Sequence, residues 1–342
     1  MKYYMAPLEG ITTYIFRQVY HRHYADFDKY FTPFLASKEL SRKEKNEIDP
    51  EKNEGINLVP QILSNNPETF LSIAKQLKDC GYETVNLNLG CPSGTVVPRK
   101  RGAGMLTDTY ALDRFFEEIF EKCPTKISVK TRIGMCDECE WEDILEVYKK
   151  YPFEELIIHP RLRDDWYTGP IRTDSFKMAY DSQLAYPLCY NGEVTDVSSR
   201  DDVIKLFPDV DSIMIGRGIL KNPALLENLK YADPDGTADA NDTLAKLSEK
   251  TSERLSERAA DSDRLSDFIF DLTDSYAGLY GKGQDKNVLF KLKDIWTFIG
   301  MGYPEHEKAL KEIKKAESIS EFKLATKRFL KEVYTENNYV GC

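Results

Sequence analysis

Thr84-Val85-Asn86-Leu87-Asn88-Leu89-Gly90-Cys91-Pro92 is a short β-prone run that ends in polar and turn-forming residues. Seven runs of the same kind lie around it: Tyr3–Met5, Lys29–Phe31, Leu58–Ile62, Ile127–Lys130, Leu156–His159, Leu188–Asn191 and Ser212–Ile215. Each is followed by a polar, helix-prone stretch, so the pattern is strand then helix, repeated. Spacing of about 25–35 residues suits parallel βαβ units, and the whole series suits a closed (β/α)8 TIM barrel better than an open sheet. One helix is legible in detail. Asn66 caps it, Pro67 starts it, Phe70, Ile73, Ala74 and Leu77 share one face, and Gly81 ends it.

The strand signals stop near residue 230, which sets a barrel domain at 1–230. Residues 231–262 read as an acidic linker with a first helix, around Asp233-Pro234-Asp235-Gly236, and 263–342 as a C-terminal α-helical bundle. In that bundle Leu265, Phe268, Ile269, Leu272, Tyr276 and Leu279 form one apolar stripe. Val288, Leu289, Leu292, Ile295, Trp296 and Ile299 form another. With 41% hydrophobic and 30% charged residues, the chain is read as folded rather than disordered. The formal charge of −10 argues against a sequence-blind nucleic-acid binder. Net charge hides distribution, however, and residues 231–267 hold ten acids against five bases. Seven scattered cysteines do not make a disulfide framework. No run approaches the ~20 apolar residues of a membrane span. A cytoplasmic protein is expected, with no membrane partner, no stable protein partner and a monomeric state.

In a barrel of this kind the chemistry gathers at the C-terminal strand ends, and here these are polar: Glu9, Gln61, Asn88, Lys130, Arg132, His159, Asn191, Glu193 and Arg217. Gly192, Gly216 and Gly218 follow the last two runs, where backbone N–H groups and the Arg217 guanidinium suit a phosphate. Gln61, Lys130 and His159 offer an amide, a cation and an imidazole to the edge of a planar heterocycle. No GxGxxG and no GxxxxGK[ST] occurs in the expected places, which leaves a mononucleotide such as FMN. Cys91, between Gly90 and Pro92, is a fixed thiol beside this mouth. A neutral thiol donates a proton, whereas Lys130 and Arg132 would favour the thiolate, so an acid and a nucleophile both stay open. Cys136 and Cys139 form a single CxxC, too little for a zinc site, and His21, His23 and His306 read as surface residues.

APLEGITTYIFR (6–17), PQIL (60–63), NLNLGCPSGTVVPRKRGAGML (86–106), SVKTRIG (128–134), IIHPR (157–161), YNGEV (190–194) and IMIGRGILKNP (213–223) together resemble the tRNA-dihydrouridine synthases. The resemblance implies an FMN-containing barrel followed by a helical domain that binds tRNA. It implies reduction of the uridine C5–C6 double bond with NADPH as reductant. It makes Pro7, Leu8, Glu9, Gln61, Lys130, His159, Asn191, Gly192, Glu193, Gly216 and Arg217 the FMN contacts. Cys91 becomes the group that protonates C5, and Asn88, Lys130 and Arg132 the groups that hold the base. The run Arg99-Lys100-Arg101 follows Cys91, and its cations suit the phosphates that flank an extruded nucleotide. The competing reading is an FMN barrel that reduces a small molecule, resembling dihydroorotate dehydrogenase or the enoate reductases.

Overall fold

The computed structural model describes residues 1–231 and 250–336, with backbone alone for 250–261 and 335–336. Nine parallel strands make one sheet: β1 (Lys2–Met5), β2 (Lys29–Phe31), β3 (Leu58–Val59), β4 (Gln61–Ile62), β5 (Thr84–Leu89), β6 (Lys126–Arg132), β7 (Leu156–His159), β8 (Leu188–Tyr190) and β9 (Ser212–Ile215). β1 pairs with both β2 and β9, so the first and last strands close the ring. The run Leu58–Ile62, expected as one strand, is two pieces, because Pro60 between them has no N–H to give to the ladder. β3 pairs with β2 and β4 with β5, so the interrupted strand carries the sheet from one neighbour to the next. The eight expected strand regions are therefore all present, in a (β/α)8 arrangement.

The helices show why the sequence folds this way. Asn66 accepts a hydrogen bond from the Thr69 N–H at 2.8 Å and so caps the helix Pro67–Asp79. Phe70, Ile73, Ala74 and Leu77 are fully buried along its inner face, and the larger three contribute about 1.5–3 kcal/mol each. Gly81, at φ +94°, ends it in the conformation expected of that residue. Inside the ring, Tyr4, Ala6, Phe31, Val59, Ile157, Cys189 and Met214 form an apolar floor. Below it Glu155, 2% exposed, accepts from the Tyr4 hydroxyl at 2.7 Å and pairs with Lys29 at 3.2 Å.

The chain divides into two compact units, Met1–Tyr14 with Asp26–Gly216, and Ile15–Ala25 with the chain from Arg217 onward. In the second unit the helix segment after Tyr14 packs on the helix Lys250–Tyr280. Phe16, Tyr20 and Tyr24 set their rings edge-on to Phe268 at 5.8, 6.4 and 5.3 Å. Arg22 and His23 both bond Asp271, and Arg264 pairs with Glu227. The helices Asp285–Ile299, Glu307–Lys315 and Ile319–Glu336 complete the bundle. Both apolar stripes are core as expected, except that Leu279 is 48% exposed at the end of its helix. His306 was expected at the surface but is buried, with Nδ1 3.1 Å from Glu332. The reason is its place in the turn Pro304–His306, where its ring packs edge-on against Phe329. The linker Asp233-Pro234-Asp235-Gly236 lies outside the described residues.

Candidate active site

Successive side chains of a strand alternate between faces, so the inward positions follow from register. Asn86 and Asn88 of β5 share the inner face, as do Ser128, Lys130 and Arg132 of β6. The ladder sets Gln61 opposite Asn86, Asn88 opposite Lys130 and Arg132 opposite His159. Gln61, Asn88, Lys130, Arg132 and His159, from β4 to β7, are thus brought to one end of the barrel.

Cys91 stands at its edge. The Asn88 side-chain oxygen accepts from the Gly90 and Cys91 N–H groups at 3.0 and 2.9 Å, which turns the chain sharply after β5. The Cys91 carbonyl accepts from Ala103 N–H at 3.1 Å, so the loop folds back on itself. Gly102 makes this possible: at φ +56° it is left-handed, and a Cβ there would lie 2.9 Å from both the Cys91 Cβ and its carbonyl oxygen. Burial pushes the Cys91 thiol above its ordinary 9.0, and the Glu9 charge adds to it. The Ser93 N–H, Arg132 and Lys130 pull the other way without prevailing. The thiol is therefore held in its neutral, protonated form at neutral pH.

Lys130 is partly exposed at the mouth, and its ammonium is pulled down to about 8 by burial and by the neighbouring Arg132 charge. Arg132 is 1% exposed, and its fork donates to three carbonyls: Gly90 at 3.0 Å, Leu162 at 2.6 Å and Trp166 at 2.6 Å. It ties the Cys91 loop to the loop after β7. His159 ends β7, 3.3 Å from Arg161, whose fork continues to the Gly169 carbonyl and to Glu193 at 2.8 Å. Asn191 donates to the Met214 carbonyl at 2.8 Å, which joins the ends of β8 and β9.

Gly192 turns back over its neighbour so closely that a Cβ would lie 2.3 Å from the Tyr190 hydroxyl. At Gly216 a Cβ would meet only Ala6 at 3.6 Å and Leu8 at 4.0 Å, so the missing side chain leaves space. Pro7, Leu8 and Glu9 follow β1, with the Leu8 N–H bound by Thr12 and Glu9 3.7 Å from Lys43. Arg217 falls in the second compact unit and opens the short helix Arg217–Lys221. Arg99 and Lys100 are exposed on the Cys91 loop, where Asn65 bonds the Arg99 carbonyl and the Arg101 side chain.

Two features, Asn86 and the pair Trp166 and Tyr167, are not among the residues singled out from the sequence, and Cys136 has a partner that the sequence does not show. Asn86, fully buried, bonds Gln61 and Ser128; its place two residues before Asn88 was the available signal. Trp166, at φ +50°, and Tyr167 are half-exposed on the loop after β7, with Tyr167 5.4 Å from the Arg132 guanidinium. Cys136 donates to Glu140, whose charge holds the thiol up, and no metal-binding group of His, Cys, Asp and Glu occurs among the described residues.

The chain is similar to several known proteins. tRNA-dihydrouridine synthase B of Pasteurella multocida (strain Pm70) is 26% identical over 226 residues, 65% of this chain and 67% of that protein. A probable tRNA-dihydrouridine synthase of Staphylococcus epidermidis (strain ATCC 12228 / FDA PCI 1200) is 29% identical over 241 residues, 65% of this chain and 70% of that protein. Among solved structures, morphinone reductase superposes with a TM-score of 0.48 at 12% identity, covering 67% of this chain and 85% of its own. The family pattern described as "Dihydrouridine synthase (Dus)" matches residues 4–295, and the chain belongs to that family.

Proposed function

We propose that the protein reduces the C5–C6 double bond of uridine in tRNA, with FMN held in the barrel mouth and NADPH as the source of electrons. The observation that carries the reading is Cys91: a neutral thiol, fixed by Asn88 and Gly102, beside two cations on the inner face of β6. The residues present fit a flavin. Lys130 offers a partly desolvated ammonium, with no carboxylate among the groups that shift its pKa, and Gly216 leaves room that any side chain would fill. Lys130, His159, Asn191, Gly192 and Gly216 would hold the group, with Gln61 beneath them. Once bound, the flavin supplies the hydride that is added at C6.

The chain's own residues do the rest. Cys91 delivers the proton to C5, Asn88 fixes the backbone that carries the thiol, and Lys130 sets positive charge beside the reacting base. Arg132 keeps the two flanking loops together. A uridine inside folded RNA must be extruded to reach the mouth, and Arg99, Lys100 and Arg101 suit the phosphates on either side of it. The test is incubation of purified protein with FMN, NADPH and unmodified tRNA transcript, followed by nucleoside analysis. Dihydrouridine at a defined position supports the reading. A flavin-bound protein that leaves tRNA unchanged but reduces free enones or dihydropyrimidine-forming substrates would replace it with the small-molecule reading.

A further inference from the structure

The mouth rests on a buried polar layer where branched apolar residues are the usual filling. Gln61 and Asn86 are fully buried, Ser128 is 2% exposed and Asn88 8%. Four polar side chains there cost free energy unless each is bonded, and here each is. The Ser128 hydroxyl gives its only hydrogen to the Val85 carbonyl at 3.3 Å and accepts from Asn86 Nδ2 at 2.9 Å. Asn86 Oδ1 accepts from Gln61 Nε2 at 2.8 Å, and Gln61 Oε1 accepts from Asn88 Nδ2 at 2.7 Å. Asn88 Oδ1 then accepts from the Gly90 and Cys91 N–H groups.

This chain has one direction. A backbone carbonyl, which can only accept, stands at one end, and two backbone N–H groups, which can only donate, stand at the other. Reversing any of the three amides would place donor against donor or acceptor against acceptor. We infer that Asn86 is a positioning residue: through Gln61 and Asn88 it fixes the backbone of Gly90 and Cys91, and with it the aim of the thiol. Asn86 itself bonds no part of the Cys91 loop. As a contribution to catalysis this rests on the reading of Cys91 as proton donor; as a statement about the loop it stands apart from it.

The test is hydrogen exchange, resolved to the peptide spanning Asn88–Leu106, in Asn86→Leu and Asn86→Asp, each compared with the native chain at the same pH. Asn86→Leu removes both bonds, and exchange at Gly90 and Cys91 is expected to rise by about tenfold, the loss of roughly one hydrogen bond's protection. Asn86→Asp is expected to match the native chain at low pH. A neutral carboxyl accepts from Gln61 and donates to Ser128 as the amide does, and protection falls once the group ionises. If Asn86→Leu yields no folded protein, Ser128→Ala leaves Asn86 Nδ2 without its acceptor and is expected to raise the same exchange by about threefold.

A packing role would instead lower the melting temperature while leaving that peptide's exchange unchanged, or make Asp as damaging as Leu at every pH; either result overturns the inference. In the same variants the proton-donor step is read by kcat against KM. A chain that binds no FMN removes the proposed function and leaves the exchange result in force. A flavin-bound, tRNA-reducing chain with unaltered exchange in Asn86→Leu removes the inference alone.

Discussion

Replacing Arg132 by lysine separates two roles for this residue. The resemblance makes it a group that holds the substrate base, whereas its geometry makes it a strut between the loops after β5 and β7. Three of its five N–H groups reach the carbonyls of Gly90, Leu162 and Trp166, and burial lowers its pKa only to about 10, so it remains charged at neutral pH. Lysine keeps the charge but has no planar fork, and one ammonium cannot span all three acceptors. Two carbonyls then lose a charged donor in a site 1% exposed, at about 1–3 kcal/mol each. Water can enter from the mouth, so the lower part of that range applies, and a total near 2–4 kcal/mol is expected. For a unit of about 200 residues this lowers the calorimetric midpoint by about 4–16 °C. Exchange in the Cys91 loop should rise at the same time. A variant with native stability and native exchange that fails to turn over uridine would refute the strut and return Arg132 to the substrate.

Four further outcomes follow from the same geometry. Cys91→Ala should retain FMN and tRNA but lose turnover by about 10²–10⁴-fold in single-turnover assays, the usual effect of removing a positioned acid; native rates would exclude the thiol. Gly102→Ala forces a left-handed alanine and a Cβ 2.9 Å from Cys91, so kcat should drop by about 10²-fold with flavin content unchanged. The Lys130 pKa is lowered, so its charge is present below about 8 and lost above it; FMN affinity measured by fluorescence should weaken as pH rises through about 8, and Lys130→Met should abolish that dependence. Charge reversal at Arg99, Lys100 and Arg101 should cut tRNA retention on filters and lower the log–log salt slope by about 2–3. The same change at Lys78, Lys122 and Lys126, at the opposite ends of their elements, should do neither.

The strands and the helix Pro67–Asp79 were legible because their signals are local: alternation, a cap, a proline and a glycine within a few residues. The Cys91 loop was legible for the same reason. What pattern did not reveal depends on three-dimensional partners. Nothing near Arg132 in the chain says that its donors go to Leu162 and Trp166, 30 and 34 residues away. Nothing around Ile15–Ala25 says that this segment groups with the helical unit; its apolar spacing suits either neighbour. His306 lies beside Glu305 and Glu307, a setting that suggests solvent until Phe329 and Glu332 are brought against it. Pro60 was visible, but its effect was not. It divides the strand so that Gln61, whose N–H goes to the Thr32 hydroxyl rather than to a backbone carbonyl, turns its amide toward Asn86 and Asn88.

The charge balance shows why a site is a better guide to function than composition. A net charge of −10 speaks against a polyanionic substrate if it is spread evenly, yet beyond about 8 Å in physiological salt such surface charge is largely screened. At close range the mouth itself counts, where Lys130 and Arg132 stand on adjacent inward positions of one strand and Arg132 bonds carbonyls rather than a carboxylate. The Asp165 carboxylate acts on Arg132 without bonding it, so the charge at the mouth is reduced and not cancelled. The same two cations act on Cys91 and pull its pKa down. Burial and Glu9 outweigh them. Positive charge at the mouth and a protonated thiol at its edge are opposed demands, and the depth at which Asn88 and Gly102 hold Cys91 lets one mouth satisfy both.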